Sequence, residues 1–242
     1  MSLRDAWDAQ AEHWAAWTRT PGHDRHFWGV NLPAFLELVP GPGRLTVDLG
    51  CGEGRLGRML QASGHRVVSI DGSPTLARLA AAHEQRQPVA LADMAVLPLR
   101  DAVADLAIAF MSLQDVDDLS AAVGEAARVL VPGGRLCVAV VHPINSAGAF
   151  EGDTAESPFV ITGSYLDTFR YADEIERNGL PMTFHSEHRP LEAYSRALED
   201  AGFVIEAVRE PLDPLPEPKD ARWRRVPLFL HLRAVRGEPP RA

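Results

Sequence analysis

The chain has 242 residues, of which 46% are hydrophobic and 24% charged, and this ordinary globular balance excludes both a disordered polypeptide and an apolar membrane protein. A formal charge of -9 disfavours a phosphate-backbone partner, because nucleic-acid binding draws on a basic face. Two cysteines without metal-ligand spacing, no basic-apolar leader and no run of roughly 18 apolar residues point to a reduced, cytoplasmic setting without a membrane span.

In chain order, Trp7, Ala11, Trp14 and Trp17 repeat at helical spacing and set three indoles near one face of an amphipathic helix that needs something to cover. Residues 1–43 are therefore expected to form a helical lid segment. From Arg44 short apolar runs alternate with helical segments: strands at Leu45–Leu49, Arg66–Ile70, Val89–Ala92, Asp105–Phe110 and Arg135–Val141, with helices at Arg55–Ser63, Pro74–Glu84 and Asp118–Leu130. Strands separated by helices imply right-handed crossovers and a parallel sheet covered on both faces. Residues 143–189 break that rhythm and read as an inserted cap. Aromatic and apolar residues around Tyr165–Tyr171 alternate as in a hairpin. Residues 190–242 resume the core with a helix at Pro190–Ala201 and strands at Phe203–Arg209 and Val226–Val235, while the Pro-rich stretch Pro211–Pro218 reads as a loop. The sum is an α/β, doubly wound, mostly parallel seven-stranded sheet with residues 44–142 as its ligand-binding core. The basic run Arg222, Trp223, Arg224 and Arg225 reads as a solvated edge.

The run Val47-Asp48-Leu49-Gly50-Cys51-Gly52-Glu53-Gly54 leads from a strand through a glycine-rich turn into a helix, at the carboxyl end of the first strand where open α/β sheets bind ligands. Asp71 closes the second strand about 20 residues on, where a carboxylate can accept both hydroxyls of a ribose. Ser73, with Pro74 behind it, is the better N-cap for the next helix. A dinucleotide fits poorly, since Arg55 stands where the third fingerprint glycine belongs and Asp48 would repel a pyrophosphate, whereas a ligand with an ammonium group would welcome it.

On these motifs residues 44–142 resemble the class I S-adenosylmethionine-dependent methyltransferases, in the branch containing ubiquinone and menaquinone biosynthesis enzymes and many small-molecule enzymes of secondary metabolism. The resemblance implies S-adenosylmethionine as donor, with S-adenosylhomocysteine as product. It implies that Asp48, Gly50, Cys51, Gly52 and the backbone around Glu53 hold the methionine moiety and Asp71 the ribose, with Gly72 and Ser73 beside the adenine. Asp93 would meet the adenine amino group, Met94 pack on the ring, and the Phe110–Gln114 stretch, Met111 included, lie near the donor's amino group. Arg128–Leu136 matches a structural turn of the family. Gln114 stands where many relatives carry histidine and is read as an acceptor contact.

For the acceptor the expectation is a small, planar or aromatic molecule methylated on O or N, in a pocket walled by Trp14, Trp17, Phe27, Trp28 and Tyr165. His142, at the end of the fifth strand, is the first candidate base, followed by His185 and His188. A tRNA or protein substrate and a non-catalytic donor-binding partner are the alternatives. No metal site is expected, and the chain is expected to act as a monomer or homodimer.

Overall fold

A computed structural model describes residues 1–213 and 218–237. Residues 214–217, within the stretch read as a Pro-rich loop, lie outside the described residues. The seven-stranded sheet comprises β1 (Thr46–Leu49), β2 (Val67–Asp71), β3 (Val89–Leu91), β4 (Ala104–Phe110), β5 (Leu130–Val141), β10 (Phe203–Arg209) and β11 (Phe229–Arg236). The remaining strands are β6 (Ala149–Phe150), β7 (Phe159–Val160), β8 (Phe169–Arg177) and β9 (Leu180–His188). The sheet order is β10-β11-β5-β4-β1-β2-β3, parallel throughout except for β11, which runs antiparallel to both neighbours. This is the doubly wound α/β sheet expected from the alternating pattern.

Strand composition explains why both faces are covered. Along β5, Leu136, Val138 and Val140 enter one core cluster while Cys137 and Ala139 enter the other, so successive side chains point to opposite, equally apolar faces. The first face packs Ala122, Val123 and Ala126 of helix α5 (Leu119–Val129) and Tyr194, Ala197 and Leu198 of α7 (Leu191–Asp200). Against the second lie Leu56 and Leu60 of α3 (Arg55–Ala62), together with Phe27, Leu32 and Phe35 from a π turn at Phe27–Asn31 and the short helix α2 (Leu32–Leu36). Helix α4 (Pro74–Ala81) follows β2, and Ser73 caps it by accepting from Leu76 N at 3.1 Å.

The chain steps outward from β1 to β2 and β3 and then returns to β4 on the other side of β1. That reversal leaves a crevice at the carboxyl ends of β1 and β4, the place where such sheets bind ligands. Two elements roof it. Helix α1 (Leu3–Arg19) starts with Ser2, whose side chain accepts from Asp5 N. The β8–β9 hairpin lies against it: Trp7, Trp14 and Trp17 meet Phe184 of β9 edge to face, with centroids 6.3, 5.8 and 6.0 Å away. Such aromatic pairs are worth about 0.5–1.5 kcal/mol each beyond area burial.

The hairpin differs from the expectation. Its arms begin at Phe169, so Tyr165 lies ahead of it, and it closes on Asn178 and Gly179, both with positive φ (52° and 75°). That is the type I′ turn for which Asn-Gly is the preferred pair. Ahead of it lie α6 (Pro143–Ser146) and the small β6–β7 pair. The basic run is largely engaged: Arg222 binds Asp153 and the Gly152 carbonyl, Arg225 the Ser157 carbonyl at 2.7 Å, and Trp223 packs on Phe150. It clips the β6–β7 strip to the body.

Candidate active site

Three glycines at the end of β1 take left-handed φ values: Gly50 (72°), Gly52 (58°) and Gly54 (85°). At Gly50 a Cβ would come within 2.4 Å of the Ser112 Cβ, and at Gly52 within 3.3 Å of Trp14 Nε1, so backbone is brought up against the crevice where a side chain would not fit. Asp71 braces the turn. Its two oxygens accept from Gly52 N at 2.7 Å and Ser73 N at 2.8 Å, leaving a further lone pair on each oxygen for a ligand hydroxyl. Burial pushes its carboxyl up to about 6 against those two bonds.

Asp48 is 1% exposed, and its Oδ2 has no partner among the described residues. Burial, with the Asp71 charge second, pushes it up to about 7. A buried carboxylate in that condition is stabilised by a cationic ligand. Met111 holds a strained φ of 56° while its N–H donates to the Ala139 carbonyl at 2.7 Å, and Ser112 Oγ donates to the Leu49 carbonyl at 2.7 Å. Burial raises the Cys51 thiol, so this cysteine is no nucleophile.

These groups share one cavity of about 390 Å³. Every expected donor-side residue lines it: Asp48, Gly50, Cys51, Gly52, Asp71, Gly72, Ser73, Asp93, Met94 and Met111. Among the expected acceptor contacts, Trp14, Trp17 and Gln114 also line it. Trp28 does not: it is 51% exposed, turned outward beside Phe27. Tyr165 is also outside the lining, and its hydroxyl accepts from Leu191 N at 3.0 Å, holding the start of α7.

The three histidines read as bases lie outside the cavity lining, and the structure corrects that expectation. His142 has both ring nitrogens engaged: Nδ1 accepts from Ile144 N at 3.1 Å, capping α6, and Nε2 meets Glu210 at 2.9 Å. His188 is fully buried between the Ser146 hydroxyl (2.7 Å) and the Tyr165 carbonyl (2.9 Å), and stacks on Phe169. His185 alternates with the lining residues Phe184 and Ser186 and so faces away. The histidines that do line the cavity are His23 and His26. Burial lowers the His26 ring, keeping it neutral at pH 7.

Tyr171, one of the aromatics around which a hairpin was expected, does line the cavity, whereas sequence reasoning missed Asp115, Asp173 and Phe184 on its wall. The Asn178-Gly179 turn was the available signal, since it fixes the register that aims Tyr171 and Asp173 inward together. Among the described residues no group of three or more His, Cys, Asp or Glu is arranged to hold a metal. No helix there is long and apolar enough to cross a membrane.

A doubly wound sheet with a glycine-rich turn after β1, an acid ending β2 and, between them, a buried carboxyl whose Oδ2 has no partner among the described residues has the shape and charge that a nucleoside carrying a cationic group would fit. Comparison with known proteins narrows this. Residues 47–138 match the methyltransferase domain family. The chain is 31% identical over 152 residues to a ubiquinone biosynthesis O-methyltransferase of Xylella fastidiosa, covering 60% of this chain and 61% of that one. It is 41% identical over 175 residues to an uncharacterized 37.1 kDa protein in transposon TN4556 of Streptomyces fradiae, covering 69% and 45%. The structure of an S-adenosylmethionine-dependent methyltransferase from Mesorhizobium loti superposes with a TM-score of 0.68 at 26% identity, over 84% of this chain and 96% of that one. The matched segments span about a third to three fifths of the curated relatives' length. Residues 47–138 are thus similar to a methyltransferase domain, and the chain resembles S-adenosylmethionine-dependent methyltransferases, whose donor is S-adenosylmethionine.

Proposed function

We propose that this protein transfers the methyl group of S-adenosylmethionine to O or N of a small, planar organic acceptor by in-line displacement. The carrying observation is the single cavity that joins the glycine-rich turn, Asp71 and Met94 to an aromatic wall of Trp14, Trp17, Phe27 and Phe184. When bound, the donor supplies an electrophilic methyl on a sulfonium. In this reading Asp71 accepts from the ribose hydroxyls and Asp48 faces the ammonium. Asp93 and Met94 take the adenine, and the Gly50–Gly52 backbone seats the methionine chain.

The rest of the site orients and dries. Helix α1 and the hairpin exclude water, and the indoles hold a flat acceptor against the methyl, so alignment supplies most of the acceleration. Neutral His26 stands on the wall where a hydroxyl acceptor's proton can be taken. The net charge of -9 supports a small molecule over tRNA.

The test is incubation of the purified protein with methyl-labelled donor and, in parallel, small aromatic hydroxyl and amino compounds, total tRNA and a protein extract. Label in the small-molecule fraction is the expected result, with a raised KM in Trp14→Ala. Label confined to tRNA or protein would overturn the reading.

A further inference from the structure

The acids along the cavity wall fall into three groups. Asp24, Glu53, Asp93 and Asp117 each carry an arginine partner, respectively Arg55, Arg58, Arg4 and Arg170. Asp48 and Asp71 belong to the donor end. That leaves Asp115 and Asp173, which converge on Tyr171, whose phenol is raised by burial and then by both of their charges.

No arginine neutralises either of them by contact. Asp115 Oδ1 accepts from Ser186 Oγ at 2.7 Å, and Oδ2 from Gln114 Nε2 at 3.3 Å. The neighbouring Arg189 is committed elsewhere, to Glu187 and to the carbonyls of Leu113 (3.3 Å) and Val116 (2.6 Å). Burial raises the Asp115 carboxyl in spite of these neighbours, and burial raises Asp173 as well. Gln114 provides an independent sign. It is 4% exposed, lines the cavity, and with its amide nitrogen turned to Asp115 its Oε1 has no partner among the described residues. A buried acceptor atom without a donor costs about 1–3 kcal/mol, so the complement that fits it is a ligand N–H.

Two carboxyl groups without an arginine partner, an unpaired amide oxygen and indole faces make this end of the cavity rich in hydrogen-bond acceptors, and a bound cation would favour the ionised form of both acids. We propose that the methyl acceptor is an amine carried by a flat aromatic ring system, held as its ammonium or N–H form by Gln114, Asp115 and Asp173, so that nitrogen is the atom methylated. The assignment rests on the methyltransferase reading above and specifies its substrate class. Aromatic walls favour the same charge through their π faces. An ammonium must lose a proton before its lone pair can attack, and Asp173, open to solvent on one side, takes that proton and passes it to water. The nitrogen lone pair then forms the N–C bond while the S–C electron pair stays on sulfur, leaving a neutral thioether.

The test is calorimetric titration of the full chain saturated with S-adenosylhomocysteine, using tryptamine, phenethylamine and 2-aminoquinoline, each paired with its carboxylate analogue of similar shape. At least tenfold tighter binding of the amine members is expected. Asp173→Asn and Gln114→Leu should each lose that preference while S-adenosylhomocysteine affinity stays within twofold. Equal or weaker binding of the amines, no binding by any of them, or a preference untouched in both variants would overturn the amine assignment and leave the donor site standing. Failure of S-adenosylhomocysteine itself to bind would instead overturn the methyltransferase reading on which the assignment rests.

Discussion

Replacing Gly50 by alanine should damage the donor turn by an amount the geometry sets. The left-handed φ of 72° costs an L-residue about 1–2 kcal/mol. The new Cβ would also lie 2.4 Å from the Ser112 Cβ, and Ser112 cannot swing away without giving up its 2.7 Å bond to the Leu49 carbonyl. Overpacking of that kind costs about 1–3 kcal/mol. Gly50→Ala should therefore lose about 2–5 kcal/mol, a large share of the roughly 5–15 kcal/mol that holds a typical domain folded. Urea unfolding followed by tryptophan fluorescence measures the loss, with Gly124→Ala as the control. Gly124 sits within α5 with nothing within 4 Å of its would-be Cβ, so alanine there should stabilise by about 0.5–1 kcal/mol. A Gly50→Ala protein within about 0.5 kcal/mol of the parent, or a destabilised Gly124→Ala, would refute this account of the turn.

Three further outcomes follow from buried titratable groups. Asp48, pushed up to about 7, should give up a proton when a cationic ammonium binds beside it, so S-adenosylhomocysteine binding at pH 6 should release protons and at pH 8 should not. Calorimetry in buffers of different ionisation enthalpy reads this directly, and Asp48→Asn should remove the larger share of the release, leaving the part that comes from Asp71, which is pushed up to about 6. His231 is fully buried with Nε2 on Asn31 Oδ1 at 2.7 Å, and burial pushes it down to about 4. The unfolded ring takes up a proton near 6.5 while the folded ring stays neutral, so its contribution is present above 6.5 and lost as pH falls toward 4, about 3 kcal/mol in all. Unfolding curves from pH 7 to 4 should be correspondingly flatter in His231→Gln than in the parent. His142→Ala should remove the α6 cap and cost about 0.5–2 kcal/mol of stability with turnover unchanged. Loss of turnover at full stability would restore His142 as a base.

The sheet was legible because its signals are local. Short apolar runs such as Asp105–Phe110, each bounded by a helical segment, read as strands buried on both faces, and Ser73-Pro74 announces a helix start. That Gly50, Gly52 and Asp71 share one end of the cavity was legible for the same reason, since they are fixed by the turn and strand that carry them. The other end of the cavity was not, because the residues that line it meet only through tertiary structure. Asp115 follows β4, Asp173 comes from the hairpin, and the Asn178-Gly179 turn decides which hairpin face looks inward. The histidines misled for a related reason. His142 does end β5 at the correct edge of the sheet, but Glu210, distant in sequence and placed beside it by β10, takes the nitrogen that would have been free. Likewise Tyr165 and Trp28 have the side chains of pocket walls and are turned to other work by the backbone that holds them.

The most direct test is calorimetric titration of the protein with S-adenosylmethionine and, separately, with NAD. Saturable one-site binding of S-adenosylmethionine, weakened in Asp71→Ala, with no heat from NAD is the expected result. Binding of NAD in preference, or of neither ligand, would contradict the assignment of the crevice between β1 and β4 as a sulfonium-donor site.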